Sequence, residues 1–246
     1  MLNGQQLPEI VTDRPDVTEA SIVVPVDSLQ IENGFTQTSN HGTGTFDLSE
    51  SLVRYGLSER TELRIGIPSV FFGDAGAQPT AGVSDVSFGL KRQLGPLPEN
   101  FDLAVIAALS FPTGTGNESS HGFDAFTKFP WSRSLTEKWS SGGMFSGFWE
   151  TVEQRHRFLA ETTLYLEREL TKKTDAFVEF AGDYLARGST KEFIHFGMAY
   201  RFTARSQVDF HFGFGLTEAT PNHFFAAGYS FRVDHLFKRR ETHNGE

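Results

Sequence analysis

Residues 206–216 read SQVDFHFGFGL, and their alternation decides the fold. Val208, Phe210, Phe212, Phe214 and Leu216 share one face of an extended chain, while Asp209, His211, Gly213 and Gly215 share the other. The pattern returns in residues 192–202 (EFIHFGMAYRF), 224–233 (FFAAGYSFRV) and 101–111 (FDLAVIAALSF). Further runs begin near Leu29, Phe46, Leu63, Val83, Phe129, Trp139, Phe158 and Ala176, giving about twelve strands of mostly about 9–12 residues. Strands of soluble proteins usually run about 5–6 residues, whereas about 9–11 tilted residues cross the hydrocarbon of a bilayer. No helical periodicity competes.

The links between strands alternate in length. The short ones are GLSER (56–60), LGPLPEN (94–100), LTEK (135–138), LTKKT (170–174) and FTARS (202–206), and four of them share a Leu/Phe-Ser/Thr-x-Lys/Arg turn. Between them lie longer polar or Gly-rich links: TSNHGTGT, PSVFFGDAGAQPTAGV, PTGTGNESSHGFDAFT, ETVEQRHR, ARGSTKE and TEATPNH. A meander whose two ends face different surroundings has this signature.

Composition points the same way. The 246 residues carry 31 acidic and 22 basic side chains, a net charge of −9, which argues against a nucleic-acid binder. Cys is absent, so there is no disulfide framework or thiolate metal site. There are 25 Phe in a chain with no apolar run of transmembrane-helix length. Sheet can cross a membrane only when it closes, with apolar residues outward and polar residues inward. The expected fold is therefore an all-β, closed, antiparallel up-and-down transmembrane β-barrel of about 12 strands, with short periplasmic turns, longer extracellular loops and periplasmic termini. The inward set comprises Glu32, Glu62, Arg64, Asp85, Lys91, Asp102, Glu161, Glu167, Asp175, Glu179, Asp183, His195, Arg201, Asp209, His211 and Arg232. Tyr55, Phe101, Trp131, Trp139, Trp149 and Phe231 are candidates for the aromatic girdles. Residues 46–55, 126–135 and 139–149 carry apolar and polar residues on both faces and resist assignment. A soluble ligand-binding β-barrel with its Phe inward is the alternative, but its solvent face would carry more Lys and Glu.

Five blocks carry a resemblance: TDRPDVTEASIVVPVDSLQIENGF (12–35), LVRYGLSERTELRIGI (52–67), GVSDVSFGLKRQL (82–94), LAVIAALSFPTG (103–114) and GLTEATPNHFFAAGYSFRV (215–233). In this order they resemble the family labelled "putative MetA-pathway of phenol degradation", outer-membrane transporter-like proteins. The resemblance implies a Gram-negative outer-membrane barrel, made with a signal peptide that the opening MLNGQQLPEI does not supply. The chain departs from the pattern by continuing beyond Val233, where an outer-membrane barrel commonly ends on an aromatic residue.

Three regions follow: a periplasmic leader (1–27) at or in the barrel mouth, the barrel (28–233) and a polar tail (234–246). In the leader Asp13, Arg14, Asp16 and Glu19 match the charges expected in the lumen, and Pro15 keeps the segment out of the sheet ladder. Arg14 is expected to pair with lumen or leader carboxylates. The function expected is passive passage of small molecules, aromatic or hydrophobic ones included, through a polar-lined barrel. Phe177, Tyr165, Phe193 and Phe224 either line the path or fill the barrel. The acidic excess predicts preference for neutral or cationic solutes. An outer-membrane barrel enzyme acting on lipid is the rival. Ser119, Ser120 and His121 are neighbours in a Gly-rich loop, which does not make a triad. His195 and His211, with Asp209, are a thin metal-ligand set and read first as hydrogen-bonded lumen histidines. No catalytic residue, metal or cofactor is assigned. The partners expected are outer-membrane lipid, an unidentified small solute and the barrel-assembly machinery, with no nucleic acid.

Overall fold

The computed structural model describes residues 7–40, 42–75, 78–152, 154–185 and 188–237. Every strand is antiparallel to its neighbours, and the first pairs with the last, from Leu29↔Val233 to Ser39↔His223, so the sheet closes. Fifteen segments build it: β1 (Leu29–Asn40), β2 (Thr43–Leu48), β3 (Ser51–Ser58), β4 (Thr61–Ile67), β5 (Val70–Ala75), β6 (Gln78–Val83), β7 (Val86–Gln93), β8 (Phe101–Phe111), β9 (Asp124–Ser134), β10 (Trp139–Val152), β11 (Arg155–Thr171), β12 (Thr174–Leu185), β13 (Lys191–Thr203), β14 (Ser206–Gly215) and β15 (His223–Val233). Three pairs of segments are single staves broken once, at Ser49–Glu50, at Pro68–Ser69 and at Ser84–Asp85. β1 lies on β3 with one half and on β2 with the other, while β4 pairs β7 and β5 pairs β6. The result is a closed 12-strand antiparallel β-barrel. Pro68 has no N–H to give the ladder, and Ser49 takes a positive φ of 61°, so local chemistry accounts for two of the breaks.

The repeated turn has a mechanism. In all four copies the Ser or Thr side chain accepts the backbone N–H two residues on: Arg60 to Ser58, Lys138 to Thr136, Lys173 to Thr171 and Arg205 to Thr203, at 3.1–3.4 Å. In three copies the ladder shifts register just beside the turn. These turns, the 94–100 link and both ends of the barrel segment lie at one end. The other end differs from expectation, because TSNHGTGT and PSVFFGDAGAQPTAGV are mostly strand and not loop, as β1–β2 and β5–β6 hairpins. Strands leaving an apolar layer need no apolar face, so their alternation fades while their ladder continues.

Inside and outside are inverted relative to a soluble protein. Among the described residues, 21 polar or charged residues are buried against nine apolar ones. Large apolar side chains are exposed all round the barrel: Phe35 on β1, Phe88 on β7, Phe145 on β10, Phe196 on β13, Phe210 on β14 and Tyr229 on β15. That belt is the surface a lipid tail covers. Among the described residues no helix is long and apolar enough to cross a membrane.

Candidate functional site

The buried charges meet at the leader. Residues 11–24 form no strand, and they touch inward side chains of β1, β3, β4, β7, β9, β12 and β14, so the segment lies across the lumen.

On one flank Asp13 places its carboxylate 3.2 Å from Arg54, 2.7 Å from Arg64 and 3.1 Å from Lys91. Arg54 grips Glu62 through two nitrogens (2.9 and 3.0 Å) and Glu32 through a third contact of 2.8 Å. Arg64 also reaches Glu62 (2.7 Å) and Glu19 (2.6 Å), and Lys128 reaches Glu19 (2.7 Å). Four cations and four carboxylates thus balance in a space where an unpaired ion would cost several kcal/mol. Burial pushes the Asp13 carboxyl up, but the Arg54, Lys91 and Arg64 charges outweigh it and hold it well below the usual carboxylate range. Glu19 is likewise raised by burial and brought below its ordinary value by Arg64 and Lys128.

The opposite flank is acidic. Glu179 accepts the backbone N–H groups of Val17 (2.7 Å) and Thr18 (3.0 Å) and the Thr18 hydroxyl, which also meets Thr163. Behind Glu179 the chain of contacts runs to His195 at 2.5 Å and on to His211, whose Nδ1 is 3.0 Å from that of His195. Phe177, Phe193 and Phe224 pack around this histidine pair, with ring centroids 5.3–5.8 Å from His195. Arg14 turns to this side, 2.9 Å from Glu50 and 3.5 Å from Asp209. Its guanidinium lies over Gly34 and Gly228, where a Cβ on either residue would collide with it. Among the described residues no cation pairs with Asp16: burial, then the charges of Glu179 and Glu167, raise its carboxyl well above the usual value.

Arg14, Pro15, Asp16 and Glu19 separate two cavities. One, of about 290 Å³, opens among Asp102, Asp175, Arg201 and Gln207, beside the short turns. The other, of about 460 Å³, lies among Thr36, Glu50, Leu52 and Ser69 on the long-loop side.

The remaining expected positions distribute unevenly. Glu161 accepts from Ser146 (3.0 Å) and Glu167 from Ser140 (3.1 Å), both half-buried on the acidic flank. Asp102 and Arg201 stand at the short-turn rim, where Arg201 pairs with Asp175 and Glu9. Arg232 is buried at the same rim on Asp234 and the carbonyls of Pro8 and Glu9. Asp85 needs correction: it lies in the break between β6 and β7 and not on a strand's inner face. Its carboxylate ties down the 112–123 loop, accepting from Gly114 (2.8 Å), Ser119 (2.8 Å) and Ser120 (3.0 and 3.1 Å). In that loop Ser119 Oγ accepts the backbone N–H of His121 while the imidazole turns to the Gly116 carbonyl, so serine and histidine are not paired for nucleophilic attack.

Sequence reasoning missed Arg54, the hub of the basic flank, and Glu50, Lys128, Gln30 and Thr163. Arg54 alternates with Leu52 and Gly56 inward against Val53 and Tyr55 outward; the apolar Leu52 hid it. β9 and β10 read as mixed because their inner face is partly apolar, with Phe126, Met144 and Phe148 inside and Lys128 over two of the rings at 5.6 and 5.7 Å.

The family described as "Putative MetA-pathway of phenol degradation" matches residues 12–233. Comparison with curated proteins finds no match to the sequence. Among solved structures the chain is similar to the COG4313 outer membrane channel from Pseudomonas putida F1, with a TM-score of 0.69 at 15% identity, covering 87% of this chain and 98% of that one. It is also similar to the KdgM porin (TM-score 0.58, 9% identity, 82% and 98% covered) and to the NanC porin (0.57, 10%, 83% and 100%). The fold is that of outer-membrane barrels.

Proposed function

The chain belongs to this family, described as "Putative MetA-pathway of phenol degradation", and from that premise we propose that it is an outer-membrane channel whose leader partitions the lumen. Both ends of the barrel segment and the short turns face the periplasm, the hairpins and long loops face outward, and lipid covers the Phe belt. The observation that carries the reading is the pair of cavities on either side of residues 13–19, inside a barrel whose interior is charged and whose exterior is apolar. Passage needs only that the partition loosen, and no covalent chemistry enters. The inward charges set selectivity. Tyr165 and Phe177 on the cavity beside the short turns, with Phe193 and Phe224 beyond, support passage of small aromatic or hydrophobic solutes.

Planar-bilayer conductance of the folded protein tests the channel, and liposome swelling tests the solute. Discrete current steps are expected, and phenylalanine should enter faster than an aliphatic amino acid of similar size. A folded, inserted barrel that passes no current under any applied voltage would overturn the reading.

A further inference from the structure

We propose that Arg54, Arg64, Lys91 and Lys128 form a recognition site for short dicarboxylate solutes, and that Asp13 and Glu19 of the leader occupy it until such a solute displaces them. The transport consequence rests on the channel reading; the site itself rests on the contacts described above.

The wall supplies four cations and two carboxylates, Glu32 and Glu62, so without the leader this flank carries two uncompensated positive charges. The leader adds two negative charges, and a dicarboxylate would add the same two.

Geometry makes the correspondence specific. Asp13 Oδ2 and Glu19 Oε2 sit on the two terminal nitrogens of one guanidinium, Arg64, at 2.7 and 2.6 Å. Each carboxylate is then flanked by its own lysine, Lys91 for Asp13 and Lys128 for Glu19. A planar fork shared by two carboxylates, with a point charge closing each side, is the arrangement that guanidinium and ammonium groups offer to carboxylate ligands. Arg54, Arg64 and Lys91 are at most 6% exposed. Cations so withdrawn from water are strongly disfavoured unpaired, so leader and solute compete for one site.

Exchange is also mechanically open. Every described hydrogen bond that ties residues 11–24 to the wall involves a side chain, and none is a strand ladder bond. The cavity on the long-loop side reaches Asp13, Glu19, Glu32 and Lys128, so a solute from outside arrives at the occupied site. The opposite flank, with Glu161, Glu167, Glu179 and Asp209, repels anions and confines them to this one.

The test uses the full chain with Ser21→Cys, the single thiol in a protein without cysteine. Ser21 is buried against Ser132, so its reaction with a membrane-impermeant thiol reagent reports withdrawal of the leader. Succinate is the probe, with succinamide and chloride at matched ionic strength as controls. At ten times its dissociation constant, mass action should raise the labelling rate about tenfold. Arg64→Gln and, separately, Lys128→Gln, each checked for folding by heat-modifiable migration, should abolish the response. Labelling that ignores succinate while current persists overturns this proposal and spares the channel. A labelling response without current in any variant keeps the site and overturns the channel. An equal response in both glutamine variants, or to succinamide, also overturns the site.

Discussion

Asp13→Asn is the most economical perturbation of the partition. The substitution keeps the shape and removes one charge from contact with Arg54, Arg64 and Lys91. Arg54 retains Glu32 and Glu62, and Arg64 retains Glu62 and Glu19, but Lys91 keeps only Glu62 at 3.7 Å. Removing one partner of a buried pair costs about 3–5 kcal/mol. The Asn carbonyl still accepts one hydrogen bond, which returns about 1 kcal/mol. Roughly 2–4 kcal/mol therefore falls on the docked leader alone, because the undocked wall is identical in both proteins. At 1.4 kcal/mol per tenfold, the docked-to-undocked ratio drops by roughly 30- to 1000-fold. Single-channel recording in planar bilayers reads this as longer open dwell times. Asp16→Asn is the matched control, since Asp16 faces Glu179 and Glu167 and its carboxyl is already pushed up, so its loss should leave docking unchanged or tighter. If folded Asp13→Asn protein shows the open probability of Asp16→Asn protein, the Asp13 charge does not hold the leader in place.

Gly34→Val should also expel the leader, with charge unchanged, by putting a side chain where the Arg14 guanidinium lies; Gly44→Val, whose added Cβ meets nothing closer than 3.9 Å, should conduct as the parent does. Docking should hold from neutral pH to about pH 4 and fail below it: carboxyls whose docked values are depressed, as for Asp13 and Glu19, give stability that is complete above their free values and lost as pH falls through the docked ones. Conductance measured from pH 7 to pH 3 should therefore rise at the acid end, and a flat profile contradicts it. Phe212→Arg, on the lipid-facing side of β14, should cost about 2–4 kcal/mol of barrel stability in denaturant titrations in lipid, and a cost near zero would put that face in water. Asp85→Ala releases four hydrogen bonds, so limited proteolysis should cut within 112–123 in the variant and not in the parent.

What the sequence made legible was whatever a period of two can carry. Val208 to Phe214 against Asp209 to Gly215 assigns both faces of β14, and the same holds for β8, β13 and β15. The pattern is a local consequence of one face meeting lipid. It fails where that contrast vanishes, as on β10, whose inner Met144 and Phe148 resemble its outer Phe145 and Trp149. It fails too in the β5–β6 hairpin, whose residues read as loop although their ladder runs from Val70↔Val83 to Ala75↔Gln78. Asp85 looked inward by alternation, yet the stave is broken there and its carboxylate serves a loop. The charged leader stood out as TDRPDVTE, but partners such as Glu179, 161 residues from Thr18, depend on closure of the whole barrel. Gly34 and Gly228 illustrate the limit: in sequence they are weak strand residues, and only the folded barrel shows Arg14 lying over both.

Buried ion pairs are poor sources of stability, because desolvation offsets much of their attraction. A barrel interior built from them therefore needs its stability from elsewhere, and it has two sources: a ladder closed by β1 on β15 and a continuous apolar belt. Neither source involves the leader. Its ties run through charged and polar side chains, so moving it uncovers groups that a polar solute or water can take over, whereas an apolar plug would leave a greasy surface on both partners when it moved. Folding and partition are then separable by substitution. Phe212→Arg should weaken the barrel and leave open dwell times in the surviving channels unchanged, whereas Asp13→Asn should lengthen dwell times at unchanged barrel stability. Were both variants to shift both quantities together, the leader would be part of the barrel's core and could not serve as a movable partition.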